Sequence, residues 1–456
     1  MSSAAPQPLY ASREKIYPRE VGGVFARARM AAMVVLLGLY YGAAWLTWDG
    51  RQALLFDLPA RKFYIFGLTL WPQDFFFLSW LLIIAALSLF FCTALAGRLW
   101  CGYACPQTVW TEIFLLMERI TEGRGAARRK LDARAWDGEK LARKSAKQAL
   151  WIGFSLWTGF TFVGYFTPIR ELAAEVATLG LGGWETFWIL FYGLATYGNA
   201  GFMREQVCRY MCPYARFQSA MFDRDTLVIS YDDGRGEPRG PRPRGTPSAA
   251  AGLGDCVNCR ICVQVCPTGI DIREGLQYEC IACAACVDAC NGVMDKMGYA
   301  RGLIRYSTQN AMEGRRAHIL RPRIIVYGVL LAVLVAGFGA ALWLRTPIGL
   351  DVIRDRNALY RESRPGYIEN VYTLKVLNKD TSAHLYRLEV QGLPTLELET
   401  EPAEITVPEG GILNVAARVL IEDGAAAPGG HDITFELEAE DDPALATRSA
   451  ARFFTP

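Results

Sequence analysis

Five uncharged stretches of bilayer length dominate this sequence: residues 30–48, 75–97, 148–169, 186–203 and 324–344. A helix needs about 20 apolar residues to cross the hydrocarbon core, and soluble cores rarely supply five such runs. The pattern therefore predicts five transmembrane α-helices. The first run follows a polar, arginine-bearing stretch and has no small-residue cleavage site, which argues against a removable signal peptide.

Lys and Arg set the orientation of such spans, because they are retained on the cytoplasmic side. Arg13, Lys15, Arg19, Arg27 and Arg29 precede the first run, and eleven basic residues lie within 98–147. The first and second runs are joined through only Arg51, Arg61 and Lys62, and the third and fourth through only Arg170. This alternation places the N-terminus, 98–147 and the region between the fourth and fifth runs inside. The C-terminus is then outside, which in a bacterium means the periplasm across the inner membrane.

Composition sharpens the split. The formal charge is +2, yet residues 346–456 carry 10 Lys and Arg against 19 Asp and Glu, a balance of −9. The rest of the chain therefore carries +11. A near-neutral chain gives no reason to expect nucleic acid as a partner, and 52% hydrophobic residues exclude a disordered one. All 13 cysteines precede residue 291, so the acidic tail has none. That suits an oxidising compartment, where free thiols fare poorly. Only 3 His are present, none inside the five runs, and no C-x-x-C-H occurs. Multihaem and bis-His haem proteins are excluded.

Eight cysteines form two runs: Cys256-x-x-Cys259-x-x-Cys262-x-x-x-Cys266-Pro267, then Cys280-x-x-Cys283-x-x-Cys286-x-x-x-Cys290-Asn291. Tight C-x-x-C-x-x-C spacing lets one loop wrap three corners of a cubane, and the fourth ligand crosses over in two-cluster ferredoxins. Two [4Fe–4S] clusters are expected. Cys256, Cys259, Cys262 and Cys290 would hold one. Cys280, Cys283, Cys286 and Cys266 would hold the other. Zinc is the weaker alternative because it usually takes two separated pairs, and disulfides are disfavoured inside the cell. Asn291 replaces the proline expected after the second run.

Two further pairs are Cys101-Gly-Tyr-Ala-Cys105-Pro106 and Cys208-Arg-Tyr-Met-Cys212-Pro213. Each follows an apolar run and an Arg, Arg98 or Arg204, so runs one–two and three–four read as a parallel internal repeat. Cysteines four apart share one helical face. Proline after the second cysteine suits the first position of a new helix. Cys105 and Cys212 would then sit at helix N-termini, where the dipole favours thiolate, aided at Cys212 by Arg209. Four converging thiols would form a soft site for Cu(I), zinc or an iron–sulfur centre. Met30, Met33, Met203 and Met211 lie near that level, although ordinary packing explains them equally. Cys92 reads as packing. His318 reads as a surface contact, while His384 and His431 fall in strand or turn contexts.

After residue 366 alternation becomes regular. Tyr372, Leu374 and Val376 share one face, as do Tyr386, Leu388 and Val390, then Leu413, Val415, Ala417, Val419 and Ile421, then Ile433, Phe435 and Leu437. Turn signals separate these runs, which predicts an immunoglobulin-like β-sandwich acting as an interaction domain. The expected organisation is a cytoplasmic segment at 1–29 and a four-span membrane domain at 30–231. A Gly/Pro/Arg-rich linker at 232–254 leads to an α+β two-cluster ferredoxin-like domain at 255–321. A fifth transmembrane helix at 322–345 and an all-β sandwich at 346–456 complete it.

This order of spans, C-x-x-x-C-P motifs, double ferredoxin, span and sandwich resembles the cytochrome c oxidase accessory family called CcoG, FixG or RdxA. Matching stretches include ARKFYIFGLTLWPQDF at 60–75, GRLWCGYACPQTVWTEIF at 97–114, RGLIRYSTQN at 301–310 and RNALYRESRPGYIENVYTLKVLNK at 356–379. The resemblance implies an oxidoreductase that converts Cu(II) to Cu(I) for assembly of a cbb3-type oxidase. It implies copper as substrate or transient ligand near Cys101, Cys105, Cys208 and Cys212, the candidate catalytic residues. It further implies a cytoplasmic electron donor, a copper chaperone or transporter, oxidase assembly factors and membrane lipid as partners. A membrane electron carrier linked to quinol and a non-enzymatic assembly scaffold are the alternatives.

Overall fold

The computed structural model describes residues 15–246, 252–380 and 382–456. Arg13 of the expected cytoplasmic segment, and 247–251 of the expected linker, lie outside the described residues. The chain divides into two compact units, Met1–Leu58 with Leu78–Val335, and Pro59–Phe77 with Ala336–Pro456.

Among the described residues three helices are long and apolar enough to cross a membrane: Val24–Ala43, Pro72–Ala96 and Pro322–Trp343. The other two expected spans do not form single helices of that length and apolarity. The run at 148–169 forms the end of helix Gly138–Val163, whose start carries Lys140, Arg143, Lys144 and Lys147. Only 148–163 of that run is helical before the chain turns at Gly164. The run at 186–203 belongs to the 14-residue helix Gly183–Thr196, which continues as a π-helix over Tyr197–Met203. These two helices pack closely because Gly159 has no side chain. A β-carbon there would lie 2.2 Å from the Ile189 carbonyl oxygen.

In the first unit the cluster-bearing region contains an antiparallel strand pair, Val228–Tyr231 with Ile304–Ser307, and the helix Ala285–Met297. Asp288 on that helix reaches the start of helix Val24–Ala43. Its carboxylate accepts from the backbone N–H groups of Ala26, at 2.7 Å, and Phe25, at 3.3 Å. The first four N–H groups of a helix lack internal partners, so this distant carboxylate serves as the cap that Gly23 cannot supply.

The expected linker makes contacts of its own. Its described residues lie against the cluster-bearing region. Arg235 pairs with Asp255 at 2.6 Å, Arg242 donates to the Tyr299 hydroxyl and the Gly254 carbonyl, and Gly240 N–H donates to the Cys256 carbonyl. Composition marked the segment as extended, but its arginines find carbonyls and carboxylates far along the chain.

The second unit is a sandwich. One sheet has strands Glu397–Glu401, Ile412–Glu422, Tyr367–Asn378 and Ile348–Arg354 in that order, with Arg361–Arg364 also pairing to Tyr367–Asn378. The other runs Ile405–Val407, His384–Gln391, Gly429–Ala439 and Ala446–Thr455. Between them lies a core including Tyr372, Leu374, Val376, Val415, Val419, Phe435 and Leu437. Strand residues two apart face the same side, so the alternation in sequence becomes this inner layer. The segment before Phe77 belongs here too, because Asp74, buried, holds Arg345 at 2.6 Å and Lys379 at 3.3 Å.

Candidate iron–sulfur relay

Each cluster run turns back on itself through left-handed residues at matching places. Asn258 and Arg260 flank Cys259 with φ of 53° and 55°; Ala282 and Ala284 flank Cys283 with φ of 53° and 59°. Successive backbone N–H groups in such alternating conformations converge as a nest that favours anionic clusters. The strain is tolerated because the cysteines must face inward together.

The turns create two small cavities. One is lined by Cys256, Cys259, Cys262 and Cys290 amid Val293, Met294, Leu303 and Ile304. The other is lined by Cys266, Cys280, Cys283 and Cys286, with Cys262 at its edge, amid Ile229, Ile270, Ile272 and Ile281. Each run sends one cysteine to the other's cavity, Cys290 backward and Cys266 forward. Among the described residues no three His, Cys, Asp or Glu gather around one point as a single ion requires. A cubane has a different demand, since its four ligands bind four separate irons. Four thiols spread around an apolar, N–H-lined cavity fit that group. Burial pushes Cys262 up to about 11 and Cys283 and Cys290 up to about 12. When bound, the cluster irons would supply the positive charge that stabilises these thiolates.

The C-x-x-x-C-P motifs sit against the second cavity. Cys101 lies on the short helix Leu99–Tyr103, and Cys105 is the N-cap of helix Pro106–Glu122. Cys212 is likewise the N-cap of helix Pro213–Met221. Cys208 differs from the expected α-helical face: Val207–Met211 is π-wound, and Cys212 N–H donates to the Val207 carbonyl. Pro213 forbids continuation of the helix, and the wider turn carries Cys208 instead. Cys101, Cys105, Cys208 and Cys212 come within electrostatic reach of one another.

The expected thiolate bias is corrected at Cys105. Burial pushes Cys101 up to about 11 and Cys208 up to about 12, and raises Cys105. Desolvation outweighs Arg98, which lowers Cys101 and Cys208 in part. Arg209 pairs with Glu279 at 3.3 Å. Met33 packs with Leu37 and Val109, while Met30 and Met211 are exposed. Cys92 is exposed, against the expectation of packing. His318 is exposed, His384 is buried between two carboxylates, and His431 is bonded to the Ala427 carbonyl.

Several residues of this junction escaped the sequence reading. Gly102, inside the first motif, touches the 280–283 loop: a β-carbon would lie 2.8 Å from the Ile281 oxygen and 2.9 Å from the Cys283 α-carbon. Buried Arg98 donates to the carbonyls of Tyr278 and Ala215, and to that of Cys280 at 3.5 Å. The Tyr278 hydroxyl donates to the Arg209 carbonyl, and the Tyr306 hydroxyl to that of Ala282. Fully buried Gln218 places its amide nitrogen 3.5 Å from the Cys101 sulfur. Arg98 was visible beforehand as the Arg preceding the motif and Gly102 as the glycine between two cysteines, but their partners were not.

Paired cubane cavities joined to apolar helices define a membrane-associated iron–sulfur electron-transfer protein. Family models agree: a 4Fe-4S dicluster domain matches residues 203–309, a 4Fe-4S binding domain 75–122, and the IG-like fold at the C-terminus of FixG 338–456. The chain is 40% identical over 424 residues to the nitrogen fixation protein FixG of Rhizobium meliloti, covering 85% of this chain and 81% of that one. It is 42% identical to RdxA of Cereibacter sphaeroides, covering 85% and 84%. It is 40% identical to RdxB of the same organism, covering 95% and 94%. The chain belongs to the FixG/RdxA family.

Proposed function

We propose that this chain is a cupric reductase of the bacterial inner membrane, converting Cu(II) to Cu(I) for delivery during assembly of a cbb3-type oxidase. The observation that carries this reading is the contact of Gly102 with the Cys280–Cys283 loop, which brings the cluster beside the C-x-x-x-C-P thiols. Two [4Fe–4S] clusters, when bound, would supply electrons one at a time, matching the single electron each Cu(II) takes up.

The chain's own residues set the path. Arg98 ties the first motif to the 278–280 backbone, and Tyr278 ties that loop to the second motif. Cys101, Cys105, Cys208 and Cys212 offer Cu(I) soft ligands, which makes reduction more favourable. The orientation we infer keeps the clusters cytoplasmic, near a soluble donor, and the sandwich periplasmic, near chaperone and oxidase partners. Replacing Cys101 and Cys105 with Ala tests this. Cu(II) reduction by the purified protein should collapse while cluster absorbance stays intact; undiminished reduction would remove copper from this site.

Two observations favour a second reading. The four thiols are not drawn around a single point, and the 4Fe-4S binding-domain match contains Cys101 and Cys105. They would then be a further relay in a carrier linking quinol or a cytoplasmic donor to another reductase. Quinol oxidation without added metal would select that alternative.

A further inference from the structure

We propose that an arginine-lined cavity beside the N-terminal segment seats the phosphate of an anionic phospholipid headgroup. The cavity measures about 430 Å³. Its walls carry Arg19, Arg29, Arg119, Arg124 and Arg128. The only acidic side chains among the described lining residues are Glu20 and Glu112.

An internal carboxylate already marks where an oxyanion fits. Glu20 bridges Arg119 at 2.8 Å and Arg124 at 3.3 Å. Burial raises the Glu112 carboxyl, against Arg29 and Arg119, which lower it. Arg29 points the other way, donating to the carbonyl of Cys283. Arg128 is engaged by Glu118, so the surplus rests on Arg19 and the Arg119–Arg124 pair; it is cationic and partly enclosed, which suits a phosphate diester better than a hydrated chloride.

The choice of a lipid follows from the remaining wall. Met30 and Met33 line the same cavity, and both belong to the apolar helix Val24–Ala43. Headgroup charge and acyl chain would thus meet basic and apolar surfaces in the right order. Basic pockets at the ends of spans recognise acidic lipids in this way.

Native mass spectrometry of the full, cluster-loaded chain tests the idea, with phosphatidylglycerol and phosphatidylcholine as probes. Wild type should retain phosphatidylglycerol about tenfold more tightly than phosphatidylcholine. The Arg19→Gln/Arg124→Gln variant should lose that preference. Glu20→Gln, which frees the Arg119–Arg124 pair, should bind phosphatidylglycerol more tightly than wild type and guards against a misfolded loss variant. Equal retention of both lipids by wild type, or unchanged binding in both variants, would overturn the proposal. Displacement of the lipid by millimolar glycerol 3-phosphate would also overturn it, assigning the seat to a soluble phosphate ester.

Discussion

Gly102 and Cys283 are in backbone contact: a β-carbon on Gly102 would stand 2.9 Å from the Cys283 α-carbon. A motif cysteine pair and a cluster loop are therefore joined with no side chain between them. Gly102→Ala must push the loop away, at about 1–3 kcal/mol, the usual cost of overpacking. Hydrogen exchange should show loss of amide protection at 280–284, and Cu(II) reduction should fall with it. Unchanged protection would mean the loop absorbs the methyl group freely.

The cross-over of ligands predicts how single cysteine losses pair up. Cys256→Ser and Cys290→Ser should disturb the same EPR signal, because both line one cavity. Cys283→Ser should disturb the other, shared with Cys266. Each should lower iron content by about half, the share of one cubane in two. A Cys290 variant that spoils the Cys283 signal instead would refute the pairing.

Asp288 holds helix Val24–Ala43 from a position between Cys286 and Cys290. Asp288→Ala should cost about 1 kcal/mol, as lost caps do, and Asp288→Asn should cost less. Exchange rates of the Phe25 and Ala26 amides report it. Equal protection in all three proteins would show that water satisfies those donors.

Glu118 is buried between Arg204, at 2.7 Å, and Arg128. Burial raises its carboxyl, but these cations, Arg204 foremost, bring it below its ordinary range. Glu118→Ala leaves two buried guanidinium groups without their anion and should cost about 3–5 kcal/mol. Thermal unfolding of the full chain should shift down by several degrees, and a shift within error would contradict this account.

His384 gives the sandwich a pH dependence. Burial lowers its basicity, but hydrogen bonds to Asp380 at 2.9 Å and Asp441 at 2.7 Å outweigh that and raise it. Asp441 is correspondingly held below its ordinary value by His384. A raised His contributes stability that is complete below its unfolded pKa, about 6.5, and fades as pH rises through the folded one. The lowered Asp441 contributes above its own unfolded value and fades in acid. Amide protection in strand His384–Gln391 should be greater at pH 6 than at pH 9, and His384→Gln should flatten that difference. Protection that rises with pH would reverse the sign.

Sequence carried some of this plainly and some not at all. The cluster cysteines were legible because cubane ligation imposes short fixed spacings. The sandwich core was legible because Tyr372, Leu374 and Val376 alternate. Helix Gly138–Val163 misled because Lys147 and Trp151 lie one turn apart, so an apolar run begins within a charged helix. The packing of Arg235 and Arg242 was illegible because their partners lie distant in sequence. Thiol acidity at Cys105 was misjudged because the dipole argument is local, while burial depends on the whole packed junction.

The central claim is that electrons pass from the clusters to copper beside the C-x-x-x-C-P thiols. Anaerobic single-turnover EPR tests it most directly, mixing dithionite-reduced protein, freed of excess reductant, with Cu(II). The account predicts that reduced-cluster signals vanish as one Cu(I) forms per electron lost, and that Cys101→Ala/Cys105→Ala protein with intact clusters keeps its signals. Clusters that stay reduced in the wild type, or that reoxidise equally fast in the variant, would contradict it.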